Sequence, residues 1–264
     1  MNLIEIIILA IVQGITEWLP ISSSGHLAIL QQLWDLNVPV FFDVTLHIGT
    51  LISVLVFFQK DITKILKAVA RLDFKTEESK LAALIFVGSI PTAVIGFLFK
   101  ERFESFFSNL LAVGVAFIVT GCILYASKLS RDRNKSINYF DALLIGTAQG
   151  IALIPGVSRS GITISTGLLR SVKKEKAFQY SFLLYIPAVI GAAIGTSVTE
   201  WKSLAATEIN VLSIVFGLVI TAIVGYVFLK LLFKVVVKEK FHVFAYYCWT
   251  LGLIIIFTRI LTIF

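Results

Sequence analysis

Two short polar runs, each breaking an apolar stretch, hold the residue types that could handle a phosphate group. The first opens with Gln13-Gly14-Ile15-Thr16-Glu17 and continues through Pro20 to Ser22-Ser23-Ser24-Gly25-His26. Gln13 and Glu17 stand four apart, so on a helix they share one face. The second run is Pro155-Gly156-Val157-Ser158-Arg159-Ser160-Gly161-Ile162-Thr163, and Arg159 is the only basic residue between Lys135 and Arg170. An arginine in a Gly/Ser turn that opens a helix has the parts of an anion site. The turn offers backbone N–H groups, the helix N-terminus favours negative charge, and the guanidinium forks onto two oxygens. Plainer roles exist for both charges: Glu17 can snorkel to a membrane interface, and Arg159 can tie two segments together through a carboxylate. A Glu17–Arg159 pair in the absence of substrate is compatible with either reading.

Other polar residues carry less. Asp43 and His47 share a helix face four apart and are secondary candidates for a cavity, whereas Glu5 and His242 read as interface residues. No HExxH, CxxC, P-loop or GxGxxG pattern occurs, so zinc and nucleotide sites have no support. Cys122 and Cys248 both lie in apolar runs and are expected to pack rather than to pair.

These runs must be positioned inside a membrane. Of 264 residues, 58% are hydrophobic and 15% charged, and mean hydropathy is +0.93, which excludes an ordinary water-soluble domain. Six segments are long enough to cross a hydrocarbon core of about 30 Å: roughly 40–59, 80–99, 110–128, 175–198, 210–230 and 241–264. Stretches 1–36 and 139–170, broken at Pro20 and Pro155-Gly156, are too short for two crossings and are expected to enter and return as helix–loop–helix hairpins. Met1-Asn2-Leu3-Ile4-Glu5 lacks the basic start of a secretory signal, so the first apolar segment is expected to be retained.

The two breaks match: Gln13-Gly14-Ile15 leads to Ser22-x-Ser24-Gly25, and Gln149-Gly150-Ile151 leads to Ser158-x-Ser160-Gly161. The fold expected is an all-α polytopic membrane domain of six transmembrane helices and two re-entrant hairpins, an inverted-topology repeat of 1–135 and 136–264. Basic residues crowd 60–80, 128–138, 170–176 and 230–240, while 100–109 and 199–209 are poor in them. The positive-inside rule then places both termini outside, with the first hairpin entering from the outer face. A net charge of +7 in loops beside apolar spans points to a membrane surface, with no nucleic acid. The basic 60–80 stretch is read as a solvated cytoplasmic loop touching anionic lipid. The small-residue patch Gly191-Ala192-Ala193 with Gly195 permits close helix contact, within the chain or between copies, and a homodimer is left open.

At the two polar runs the sequence resembles the undecaprenyl-diphosphate phosphatase family, also called the bacitracin-resistance protein family. The family's first motif, Glu or Gln, three residues, then Glu, stands here as Gln13 to Glu17. Its second, Pro-Gly-x-Ser-Arg-Ser-x-x-Thr, stands as Pro155 to Thr163, and the similarity runs over almost the whole chain. The resemblance implies hydrolysis of undecaprenyl diphosphate to the monophosphate carrier lipid, a divalent cation (Mg²⁺ or Ca²⁺), and a site opening to the outer (periplasmic) face of the bacterial cytoplasmic membrane. Since the first motif position is Gln13 and not Glu, a role needing a negative charge there does not carry over.

On this reading Arg159, with Ser158, Ser160 and Thr163, holds the phosphoryl oxygens, and Gln13, Ser22 and Ser24 complete the substrate site. Glu17 assists a divalent ion, Ser23 or a water attacks, and His26 serves as base or acid. The rival is a transporter or flippase of a phosphorylated polyprenyl lipid, since inverted repeats with broken helices are also the plan of many transporters.

Overall fold

The computed structural model describes residues 2–36, 38, 40–73, 75–130, 134–199 and 211–261. Eleven helices are described: α1 Leu3–Thr16, α2 Ser23–Leu33, α3 Val40–Phe57, α4 Gln59–Ala70, α5 Glu77–Phe107, α6 Leu110–Ala126, α7 Tyr139–Ile151, α8 Arg159–Leu169, α9 Lys174–Thr199, α10 Val211–Val237 and α11 Phe244–Leu261. No strand occurs among the described residues. Five helical segments are long and apolar enough to cross a membrane, or up to six if the bent pair α3–α4 is counted as one span. The chain is an all-helical, multi-pass membrane protein.

Several expected boundaries move. The 60–80 stretch is not simply a loop, because α3 turns by 79° at Phe58 into α4. The 100–109 loop is almost absorbed by α5, which runs 31 residues through Lys100, Glu101 and Arg102, all good helix formers. Asn109 ends that helix's territory by capping α6 through Ala112 N (3.1 Å). α10 likewise continues to Val237 before Glu239, at φ 59°, turns the chain. The expected 199–209 loop lies outside the described residues. Cys248 is buried as expected, but Cys122 sits on an exposed face. Among the described residues, a side chain at Gly191 would meet no atom within 4 Å.

Both broken segments begin with the same device. Asn2 caps α1 and Glu5 returns the bond (2.9 and 2.8 Å), while Asn138 caps α7 and Asp141 does the same (2.8 and 3.2 Å). Glu5 is thus a cap as well as an interface residue. Eleven residues beyond each cap stand Gln13 and Gln149. α1 then packs on α2 and α10, and its counterpart α7 packs on α8 and α5. Small residues allow the approaches: a Cβ on Gly14 would press on Val224, and one on Gly146 would collide with the Gly88 carbonyl. Thr92 Oγ1 seals the second contact by donating to the Gly146 carbonyl (2.8 Å).

The basic segments gather at one end. Buried Asp141 accepts from Lys135 (2.7 Å) and Arg170 (2.9 Å), Lys174 meets Glu239 (2.6 Å), and Gln179 on α9 donates to Asp61 on α4 (2.7 Å). At the other end Gln32 of α2 donates to the Phe107 carbonyl (3.0 Å) and accepts from Arg259 (2.9 Å). Between these ends the two breaks, 17–22 and 152–158, touch each other.

Candidate active site

Each break is closed by a serine that caps the following helix. Ser22, at φ 64°, accepts from Gly25 N (3.2 Å), and Ser158 accepts from Gly161 N (3.1 Å). Ser22 Oγ also accepts from Gly156 N (3.1 Å), which stitches the first break to the second. Gly156, at φ 94°, lies so close to the Val113 carbonyl that a side chain has no room there. Two helix N-termini therefore face the same region, and the first N–H groups of a helix are those without an intrahelical partner.

Glu17 is the hub. It is 6% exposed, and both carboxylate oxygens are engaged. Arg159 Nη2 donates to Oε1 at 2.5 Å across 142 residues of sequence. Ser23 Oγ donates to Oε2 at 2.6 Å, Gln13 Nε2 donates to the same oxygen at 3.0 Å, and His47 Nε2 stands 3.5 Å away. His47 Nδ1 donates to the Asp43 carbonyl (2.8 Å), which aims Nε2 at the carboxylate. Among the described residues, Gln13 Oε1 and Arg159 Nη1 are buried without a hydrogen-bond partner.

The guanidinium lies 3.8 Å above the Tyr185 ring and 5.7 Å from the Trp18 and Phe182 rings. Such stacking fixes the plane of a planar cation and leaves its edges free for hydrogen bonds. Tyr185 is itself held by a hydrogen bond shared with Thr50 Oγ1 (2.8 Å). Tyr185→Leu is therefore expected to lower kcat/KM about tenfold by releasing the guanidinium, while Tyr185→Phe, which keeps the ring, stays within about threefold of the parent. Steady-state kinetics check both, and equal losses in the two variants would assign the effect to the hydroxyl instead.

Beside these groups opens a cavity of about 230 Å³. Its lining combines Glu17, Arg159, His47 and the hydroxyls of Thr16, Ser22, Ser23, Ser24 and Ser158 with apolar Val44, Leu153, Ala188, Val189 and Ala192. A pocket with both charged and apolar lining suits an amphiphile with an anionic head.

Not every expected residue faces it. His26 is turned away: its Nδ1 donates to the Ser22 carbonyl (2.7 Å) and its Nε2 meets Tyr247 OH (2.7 Å). Both ring nitrogens of His26, expected as base or acid, are thus taken up, and the imidazole beside the carboxylate is that of His47. Thr163 is fully buried, bonded to the Arg159 carbonyl (2.7 Å) and to Ser181 Oγ (2.5 Å), so it ties α8 to α9 and does not line the cavity. Ser160, 1% exposed, points to the Leu19 carbonyl (3.4 Å) and joins the two breaks. Gln13 lies under Glu17, outside the lining.

A model of the family described as bacitracin resistance protein BacA matches residues 6–254. The chain belongs to that family. It is 42% identical to a protein of Halothermothrix orenii named undecaprenyl-diphosphatase, over 97% of this chain and 98% of that protein. A protein of the same name from Methanosphaera stadtmanae is 39% identical, again covering 97% and 98%. Undecaprenyl-diphosphatase 3 of Bacillus cereus is 39% identical over 98% of this chain and its own full length. Within the BacA frame, the motif residues Gln13, Glu17 and Arg159 form one contiguous cluster. Tyr185, Trp18 and Phe182 around the guanidinium lie outside both motifs. No spacing rule points to them, because an aromatic in an apolar helix has no local mark of facing a cation.

Proposed function

We propose that this chain is an undecaprenyl-diphosphate phosphatase, cleaving the terminal phosphate from the lipid diphosphate and leaving undecaprenyl phosphate for reuse as a carrier in cell-wall synthesis. The observation that carries it is the 2.6 Å contact of Ser23 Oγ with a carboxylate oxygen of Glu17, whose other oxygen holds Arg159. A hydroxyl already donating to a buried carboxylate is an activated nucleophile beside an arginine with a free N–H. The diphosphate enters between the two breaks and the prenyl chain lies against the apolar lining residues. Arg159 Nη1 and helix N-terminal N–H groups take the terminal phosphoryl oxygens.

Ser23 Oγ then bonds to the terminal phosphorus as the bridging P–O bond breaks, and its proton passes to Glu17. Undecaprenyl phosphate leaves. Water, giving one proton to His47, then attacks the phosphoserine phosphorus as the serine P–O bond breaks, Glu17 returns its proton to the serine oxygen, and inorganic phosphate leaves. Direct attack by water is the alternative within the same geometry. A lipid transporter would need the arginine but not the serine–carboxylate contact.

The residues present fit a divalent cation of the Mg²⁺ or Ca²⁺ kind. Among the described residues no three His, Cys, Asp or Glu side chains form a metal cluster. A hard oxygen donor is nonetheless in place, the Glu17 carboxylate that lines the cavity, and such ions commonly take most of their remaining ligands from phosphate and water. The ion would neutralise diphosphate charge that Arg159 alone leaves uncompensated.

The convergence of the basic segments at one end supports a placement in the cytoplasmic membrane with that end inside and both termini outside. The site then opens to the outer face, and α1–α2 and α7–α8 are re-entrant hairpins of an inverted repeat. The test is phosphate release by the purified chain from undecaprenyl diphosphate. Release is expected, EDTA should lower it at least about tenfold, and Mg²⁺ or Ca²⁺ should restore it. A folded protein that releases no phosphate with either ion present overturns the reading.

A further inference from the structure

The helix that replaces part of the expected 60–80 loop has no role in the site. α4 meets the apolar helix α3 at a 79° bend, so its axis lies close to the membrane plane if α3 crosses. Its sequence separates two faces. At 100° per residue, Lys60, Lys64, Lys67 and Arg71 fall within an arc of roughly 60°, centred about 180° from Ile62, Ile65, Leu66 and Val69. Only part of the apolar face is covered by protein. Ile62 and Ile65 pack against the core, whereas Leu66 is 63% and Val69 43% exposed, and Leu72 just beyond is 70% exposed.

No residue of α4 is fully buried. An isolated helix of 12 residues is marginal in water, so something beyond the protein has to cover this apolar edge. The charged groups point to what. Asp61, the one acid on the helix, is engaged by Gln179 of α9 at 2.7 Å, and among the described residues none of the four basic side chains makes an ion pair. Lys64, Lys80 and Lys176 line one surface cavity together with Asp61, Glu77 and Glu78, so the unpaired positive charge of this face sits on Lys60, Lys67 and Arg71.

We propose that α4 is an interfacial helix that binds the anionic phospholipid headgroups of the adjacent leaflet, with Leu66 and Val69 among the upper acyl carbons. The four basic side chains supply the charge complement, reaching phosphates with their ends while their stems stay near the apolar boundary. Docking there would hold two elements of the site at fixed depth. α3, which α4 continues, carries His47, and α9, which Gln179 ties to α4, carries Tyr185. The proposal stands apart from the phosphatase reading and needs no substrate.

The test is backbone amide hydrogen exchange over residues 59–71 in lipid nanodiscs, one set of phosphatidylcholine alone and one containing phosphatidylglycerol. Exchange is expected to be about tenfold slower with phosphatidylglycerol, and the difference should shrink in molar salt. The variant K60Q/K64Q/K67Q/R71Q should exchange alike in both discs. Equal exchange of the parent protein in the two lipids, as an acidic protein partner on this face would give, overturns the proposal whether or not the variant folds. So does a folded variant that keeps the phosphatidylglycerol effect.

Discussion

Arg159→Lys is expected to lower kcat/KM about 1,000-fold, roughly 4 kcal/mol of transition-state stabilisation, while the protein remains folded. Lysine keeps the charge opposite Glu17, so the buried carboxylate is not abandoned. It loses the two features the geometry uses. A flexible ammonium cannot lie flat 3.8 Å over Tyr185, and it cannot hold Glu17 Oε1 with one nitrogen while offering a second, Nη1, to a phosphoryl oxygen. The loss should fall mainly in kcat, because charge grows on the phosphoryl oxygens as the bridging bond breaks. Arg159→Ala would be a poorer probe, since removing one member of a buried pair costs about 3–5 kcal/mol of stability by itself. Thermal unfolding in detergent separates the two effects. An Arg159→Lys enzyme within tenfold of the parent would make the guanidinium a tie between the breaks and not a phosphate ligand.

Ser23→Ala is expected to reduce turnover by at least about 1,000-fold, with little change in thermal stability. Ser23 is the first residue of α2, and the cap of that helix belongs to Ser22, so removing the Ser23 hydroxyl spares the local fold. What disappears is the group that donates to Glu17 Oε2 at 2.6 Å. Acid quench of the parent enzyme with substrate labelled in the terminal phosphate should trap label on protein, and the Ser23→Ala enzyme should trap none. Near-normal turnover in Ser23→Ala would remove the serine nucleophile and leave attack by water. Ser22→Ala is a contrasting control, because Ser22 Oγ accepts from both Gly25 N and Gly156 N, and its loss should appear as reduced stability.

Much of this was legible in the chain because membrane solvent simplifies the problem. Runs of apolar residues near 20 long have one common use, and a glutamate and an arginine inside such a chain need each other or a ligand. The matched Gln-Gly-Ile runs and the Pro breaks located the two loops that meet. Three things were not legible. The α3–α4 bend at Phe58 depends on packing, since no proline or glycine marks it. The exchange of His26 for His47 depends on ring direction, and the first lay within nine residues of Glu17 in sequence while the second was carried to it by α3. Thr163 and Ser160 belong to the phosphate-type motif, yet their hydroxyls are spent on Ser181 and the Leu19 carbonyl. Motif membership did not distinguish a residue that touches ligand from one that holds the loop in shape.

The 142-residue separation between Glu17 and Arg159 has a consequence for biosynthesis. At about 5–20 residues per second, the ribosome delivers the carboxylate roughly 7–30 s before its cation exists. During that interval the described partners of Glu17 are Gln13, Ser23 and His47, all from the same half of the chain. The charge partner arrives only with α8, so the site is completed late in synthesis, when the guanidinium joins the two halves.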